Sequence, residues 1–429
     1  MSAHPAPSAT AAPAAAPDTH RMTDQERRAS LSMAAIFALR MLGLFLVLPV
    51  FMLEAAKLPG GNDPALIGLA MGVYGLSQAV MQVPLGLASD RFGRKKIIVL
   101  GLLVFALGSA VAAMAGSVQV LVAGRALQGA GAISAAVTAL LADLTRDEVR
   151  TKGMALVGAS IGLTFAISLM AAPPLAGAVG LSGLFWLTAL LALVGIAVVL
   201  WITPAEPTRH ADVPRGRLAD VWMHPSLWRL DLGVFVLHTV QMAMWGVVPA
   251  LLVQAGVPKA EHWHIYLPAV MGSFVLLGGL FALERRGQLR QVLRGSVALL
   301  VVVQLALLTL APRHPSAWAL GITLFGFFVA FNILEASQPS LISRLAPAQA
   351  RGAALGVYNT LQSLGLFAGG ALGGLVLKAW GPTGVFAATS ALALLWLLLG
   401  WAQVVPAPTP RRPAPPDAPG AQPRSPATR

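Results

Sequence analysis

Apolar residues in this chain do not alternate with polar ones as they would along a half-buried strand. They run on for about twenty positions, stop at a short polar turn and begin again. Twelve such runs occupy 31–54, 64–88, 95–115, 118–141, 152–175, 181–202, 229–254, 264–283, 292–311, 317–342, 353–377 and 383–403. About 20 apolar residues in helical conformation cross a hydrocarbon layer of roughly 30 Å. The pattern therefore predicts an all-α integral membrane protein with twelve transmembrane helices. The connection at 204–228 divides them into two bundles of six, 29–203 and 229–403, leaving tails at 1–28 and 404–429. The tails are rich in Ala and Pro and cannot bury a core, so both are expected to be disordered. The first run is too long for the apolar region of a secretory signal, and no segment is left over for a soluble catalytic domain.

Composition agrees and raises one question. Of the 429 residues, 56% are hydrophobic and only 11% charged, against roughly 25% charged in soluble domains. The mean hydropathy is +0.73. Yet the net charge is +13, which on a soluble protein would suggest nucleic acid. The positions of the basic residues answer this. With the amino terminus inside, 24 of the 30 Lys and Arg fall on cytoplasmic segments and four, Lys57, Lys259, Arg313 and Lys378, on outer loops. Such a bias orients membrane proteins. It predicts both termini in the cytoplasm, basic loops facing anionic lipid and no nucleic acid partner. Arg40 and Arg125 alone lie within spans. There is no cysteine, so disulfides and thiolate chemistry are excluded.

The two halves carry a faint repeat. Asp90-Arg91-Phe92-Gly93-Arg94-Lys95-Lys96 follows span 2, and Glu284-Arg285-Arg286-Gly287-Gln288-Leu289-Arg290 follows span 8. Lys152-Gly153-Met154-Ala155-Leu156 after span 4 is matched by Arg351-Gly352-Ala353-Ala354-Leu355 after span 10. Parallel six-span repeats with a site near the midplane between them are a known membrane architecture.

Certain loops say more. Any cytoplasmic turn can be basic, but that does not account for Asp90 at the end of an apolar helix or for Gly86 and Gly93, which suggest close helix approach and a tight turn. The segment Gly86 to Lys96, with Arg91 and Arg94, resembles the signature loop of the major facilitator superfamily. Arg125-Ala126-Leu127-Gln128-Gly129-Ala130-Gly131 on span 4 is similar to that family's Arg-x-x-Gln-Gly-x-Gly motif, and Asp143 closes the span as it does there. Gly158, Gly162, Pro173, Pro174 and Gly177 on span 5 resemble the antiporter motif, although Ala172 and Ala176 stand where that motif has glycines. The likeness runs from about Glu26 to Trp401. It is nearest to inner-membrane members regarded as proton-driven drug exporters, which carry a small soluble domain where this chain has a Pro-rich tail. The resemblance implies a transporter rather than an enzyme, without a cofactor, driven by the proton gradient. Its partners would be a small molecule, protons and membrane lipids, and it would act as a monomer. A facilitator or importer on the same fold, or a sensor that has lost transport, remains open.

Ionisable side chains at membrane depth are costly and usually mark a pathway or a buried pair. Four stand out: Arg40 on span 1, Arg125 on span 4, His238 on span 7 and Glu335 on span 10. The resemblance places these spans around the central cavity, so the four are the expected substrate and proton pathway. The arginines could equally brace their helices, and His238 could be a satisfied interior histidine. Glu335 is the first candidate proton carrier and His238 the second, while Asp231 is expected to be a helix N-terminal charge. The resemblance further implies that Gly86, Asp90, Arg91, Gly93, Arg94 and Asp143 form a conformational switch. In it Asp90 would face the start of span 11, and Arg94 would pair with Asp143. The glycines of span 11 are expected to be packing positions, and His262 with His264 are too few for a metal site.

Overall fold

The computed structural model describes residues 21–206, 224–313, 315–347 and 350–403. Residues 1–20 of the predicted amino-terminal tail, the carboxy-terminal tail and most of the predicted linker lie outside them. Its helices are α1 (Asp24–Val47), α2 (Phe51–Ala55), α3 (Pro64–Phe92), α4 (Arg94–Ala113), α5 (Val118–Ala130), α6 (Ser134–Asp143), α7 (Asp147–Ala197), α8 (Pro225–Trp245), α9 (Val248–Gln254), α10 (Trp263–Arg285), α11 (Leu289–Leu310), α12 (Ala317–Leu345) and α13 (Arg351–Gly400). Among the described residues, nine helical stretches are long and apolar enough to cross a membrane. Two of these, Glu148–Ile202 and Arg351–Gly400, break at Gly180 and Gly381 and exceed what one crossing requires.

Polar residues start the helices. Thr23 and Glu26 form a reciprocal capping box at α1, so that helix begins earlier than the boundary expected at 29. Asp63 caps α3 ahead of Pro64, Ser117 caps α5 and Ser316 caps α12. Glu206, four residues beyond the end of span 6, caps α4, accepting from the backbone N–H groups of Arg94 at 3.0 Å and Lys95 at 2.5 Å. A carboxylate at a helix N-terminus is favourable. Nothing local in sequence revealed this one, because 112 positions separate the partners.

The repeat is written in the backbone. Six described glycines have positive φ: Gly60, Gly93 and Gly180 in the first half, Gly256, Gly287 and Gly381 in the second. They pair in order, after spans 1 and 7, after spans 2 and 8, and at the breaks in α7 and α13. Gly93 and Gly287 are the glycines aligned from sequence. Spans 1 and 7 also both stop short and resume as a brief helix, α2 and α9. Spans 4 and 10 differ: the first is interrupted between α5 and α6, whereas α12 is continuous.

α13 packs against α3 of the other half and α8 of its own, and α7 meets α10 across the second contact between halves. Glycine makes the first seam possible. A Cβ on Gly68, Gly72 or Gly75 would collide with backbone of Gly370, Phe367 or Ser363, and one on Gly365 or Gly369 would meet the carbonyls of Phe235 or Thr239. These α13 glycines pack as expected from sequence, since small residues let membrane helices approach closely. Toward the basic end the contact ceases, and Gly352 and Gly356 have open space around them. At the opposite end two ion pairs tie the halves, Lys378 to Asp63 at 2.9 Å and Lys259 to Glu54. Among the described residues, these ion pairs join the halves at the end opposite the open Gly352 and Gly356.

Gly72→Leu is expected to force α3 and α13 apart and lower the melting temperature of the purified protein, at a cost of about 2 kcal/mol from overpacking. Gly356→Leu, on the same helix but in open space, should leave it unchanged or raise it.

Candidate functional site

Arg40 is fully buried. Its Nη2 donates to the Tyr74 hydroxyl at 2.7 Å and to Gln78 Oε1 at 3.1 Å, and Nη1 donates to Ser134 Oγ at 3.4 Å. Arg125 is nearly as buried. Its Nη1 donates to Gln128 Oε1 at 2.7 Å, whose Nε2 donates to Ser109. The guanidinium lies over the Tyr74 ring at 4.9 Å. One tyrosine thus receives both cations, Arg40 at its hydroxyl and Arg125 on its face. Neither arginine has a carboxylate partner among the described residues. The Arg-x-x-Gln-Gly-x-Gly stretch makes physical sense here: Gln128 satisfies Arg125, while Gly129 and Gly131 let span 4 touch backbone of Tyr74 and Gly101.

His238 and Glu335 meet through a residue that sequence reasoning did not single out. Gln362 Nε2 lies 2.8 Å from His238 Nε2 and donates to Glu335 Oε1 at 3.0 Å. His238 Nδ1 faces the Val234 carbonyl at 3.0 Å, and its Nε2 is 3.6 Å from Glu335 Oε2. The neutral imidazole with hydrogen on Nδ1 fits the Val234 and Gln362 contacts, leaving Nε2 to accept from the amide. Ser363, the next residue, accepts from Gln78 Nε2 at 2.9 Å. A single hydrogen-bonded chain therefore runs Arg40, Gln78, Ser363 across the halves, and the adjacent Gln362 holds the two titratable groups. Gln78, Gln362 and Ser363 are uncharged and lie on spans 2 and 11, so a search for charge on the cavity helices passes over them. Their signal was polarity at mid-helix positions.

The loop motif is an ion-pair cluster. Arg94 binds Asp90 at 2.5 Å, Asp143 at 3.3 Å and the Ser89 hydroxyl at 2.6 Å. Gly93 has φ 104°, which L side chains rarely adopt. Gly86 approaches Ala135 on α6, and the Arg91 guanidinium lies over the Phe92 ring. One expectation is corrected. Asp231 is not a helix-end charge, because α8 begins at Pro225, more than one turn earlier. Its side chain is buried with Oδ1 unpartnered.

Among the described residues no cluster of three or more His, Cys, Asp or Glu could hold a metal. His262 is buried beside the Val257 carbonyl, and burial pushes its imidazole down to about 4, so it stays neutral at physiological pH.

The family described as Major Facilitator Superfamily matches residues 30–370 and again 283–428. The inner membrane transport protein YajR of Escherichia coli K12 is 44% identical over 383 residues, covering 88% of this chain and 84% of that protein. The chain belongs to the major facilitator superfamily. Multidrug resistance protein 2 of Bacillus subtilis is a more distant relative, 26% identical over 78% of the chain and 85% of its own length. Solved structures share the fold. The human organic anion transporter MFSD10 covers 88% of the chain and 100% of its own at a TM-score of 0.66 and 21% identity. A bacterial homologue of the lysosomal transporter Spinster, inward-facing and occupied, covers 89% and 97% at 0.67 and 16%. As a superfamily member the protein is an integral membrane transporter and not an enzyme.

The Lys378 ammonium beside Asp63 holds its carboxyl below the usual range. A lowered folded-state value means the pair is present above the ordinary carboxylate range and is lost as pH falls through the lowered value. Distances between labels across this end should hold from pH 7 to below the ordinary carboxylate value of about 4 and widen only as pH falls through the lowered one. Asp63→Asn should produce the widened distribution at pH 7.

Proposed function

We propose that this transporter is a proton-coupled exporter of small organic molecules. It would reside in a bacterial-type inner membrane with twelve crossings and both termini in the cytoplasm, and work by alternating access. The long helices α7 and α13 would each cross twice, and α10 would add a span. The observation that carries the coupling is Gln362, whose one amide nitrogen serves both His238 and Glu335. With Glu335 ionised and His238 neutral, both groups accept and both amide hydrogens are used. Protonating His238 at Nε2 turns that acceptor into a donor and removes a bond from Gln362, while protonating Glu335 at its unpartnered Oε2 removes the charge and leaves Oε1 a weaker acceptor. Because Ser363 is bonded to Gln78 and through it to Arg40, the change reaches the seam between the halves. A balance of a few kcal/mol between two states is enough for a proton to shift it.

Glu335 carries the proton in this scheme. His238 modulates it, and Arg40 stabilises the charged or substrate-bound state. The ion pairs at the Asp63 end open when the basic end closes, and the cluster of Asp90, Arg94 and Asp143 with Gly86, Arg91 and Gly93 is the switch at the basic end. A charge argument also bears on the substrate. Arg40, buried without a carboxylate partner among the described residues and with Nε unpartnered, favours an organic molecule that bears negative charge or several acceptors.

In proteoliposomes carrying a pH-sensitive dye, substrate-dependent dissipation of an imposed proton gradient should be lost in Glu335→Gln, while exchange without a gradient persists. Gradient-driven transport unchanged in that variant would remove Glu335 from the scheme. Asp90→Asn should shift the distribution of label distances at the basic end. An identical distribution would rule out the switch.

A further inference from the structure

Away from this network, at the basic end of the second bundle, α8, α11, α12 and α13 leave a cleft that opens to the surface. Its wall is apolar, with Leu230, Val297, Leu334 and Trp396, and its polar lining includes Arg229, Arg290 and Arg294. Two of these arginines are fixed to the end of α13. Arg229 donates to the Ala402 carbonyl at 3.2 Å, and Arg294 donates to the Trp401 carbonyl and stacks over the Trp401 ring at 4.3 Å. Those bonds use a fraction of their donors, and Arg294 Nε is buried without an acceptor. Arg290 is exposed. None of the three forms a salt bridge among the described residues.

A second feature is independent of the charge. Gln338 lines the cleft, is 1% exposed, and has no partner for either Nε2 or Oε1. Buried amides are normally bonded, and nothing in the surrounding apolar wall can satisfy this one. A ligand that suits all of this has an anion for the arginines, a neutral polar linkage for Gln338 and a hydrocarbon portion for the wall. Free phosphate supplies only the first. We infer that the cleft is a binding site for one anionic phospholipid, with its phosphate on Arg229, Arg290 and Arg294 and its ester region at Gln338. Basic pockets between helices on the cytoplasmic side are suited to such head groups. The site touches the transport network through the chain itself. Leu334 precedes Glu335 on α12, and Leu230 and Gly233 share α8 with His238. Occupancy therefore holds in place the two helices that carry the titratable pair. The inference does not depend on the direction of transport or on proton coupling.

Native mass spectrometry on the full delipidated chain, titrated with phosphatidylglycerol or with phosphatidylcholine of the same acyl chains, tests it. The expected result is one phosphatidylglycerol retained at least about tenfold more tightly, each arginine supplying about fivefold, with no displacement by inorganic phosphate. The triple variant Arg229→Gln, Arg290→Gln, Arg294→Gln should lose the preference. Arg290→Gln alone, an exposed change that does not threaten folding, should weaken it several-fold, whereas Arg286→Gln outside the cleft should not. Equal retention of the two lipids, or an unchanged preference in Arg290→Gln, overturns the site. Displacement by inorganic phosphate overturns the lipid assignment.

Discussion

Hydrocarbon offers no hydrogen bonds, and that constraint organises the molecule. Backbone groups must be satisfied within each segment, which makes every spanning element a helix. The same rule applies to side chains. A polar group at membrane depth is best placed where it finds protein partners, and the buried arginines, His238 and Glu335 belong to two connected sets. Arg125, Gln128 and Ser109 close one set inside the first bundle. Arg40, Gln78 and Ser363, with Gln362, His238 and Glu335 alongside, form the other and cross the boundary between bundles. The first set is saturated and suits bracing. The second contains the two titratable groups on which the proposed coupling rests.

Between the bundles, the hydrophobic effect gives little drive to associate, because lipid is as apolar as the helices. Close backbone contact along the glycines of α3 and α13 supplies it instead. Glycine seams hold tightly where they meet and contribute nothing where they part, so a rigid-body tilt can exchange contact at one end for contact at the other. The ion pairs of Asp63 and Glu54 lie at the joined end, and the Arg94 cluster lies at the other. In the proposed alternating-access scheme charge pairs at both rims would bias such a tilt, and the polar chain at Gln78 and Ser363 lies along the α3–α13 seam.

Much of the architecture was legible in the chain. Runs of apolar residues locate helices because bilayer thickness sets their length. The aligned glycines after spans 2 and 8 do adopt the same positive φ, since a tight turn demands it. The motif around Asp90 and the Arg125 stretch led to the family. Legibility was lower where partners are distant in sequence. Glu206 caps α4 from 112 positions away, and Gln362 is separated from His238 by 124. Asp231 was misplaced because the helix start at Pro225 is not marked by a strong capping residue. A search for charge found the four ionisable groups but passed over the amides that connect them.

Local sequence therefore determined what any segment in a bilayer must declare for itself: which stretches are apolar helices, where turns need glycine, which end of the bundle is basic and which residues bear charge at depth. Tertiary structure decided how those charges are answered. Whether a buried arginine is braced or belongs to a relay, whether a histidine and a glutamate share an amide, and whether a buried glutamine faces an unfilled cleft are questions of which helices lie together. In an apolar solvent that choice is made by the close fit of small residues on separate helices, and no single segment contains the information.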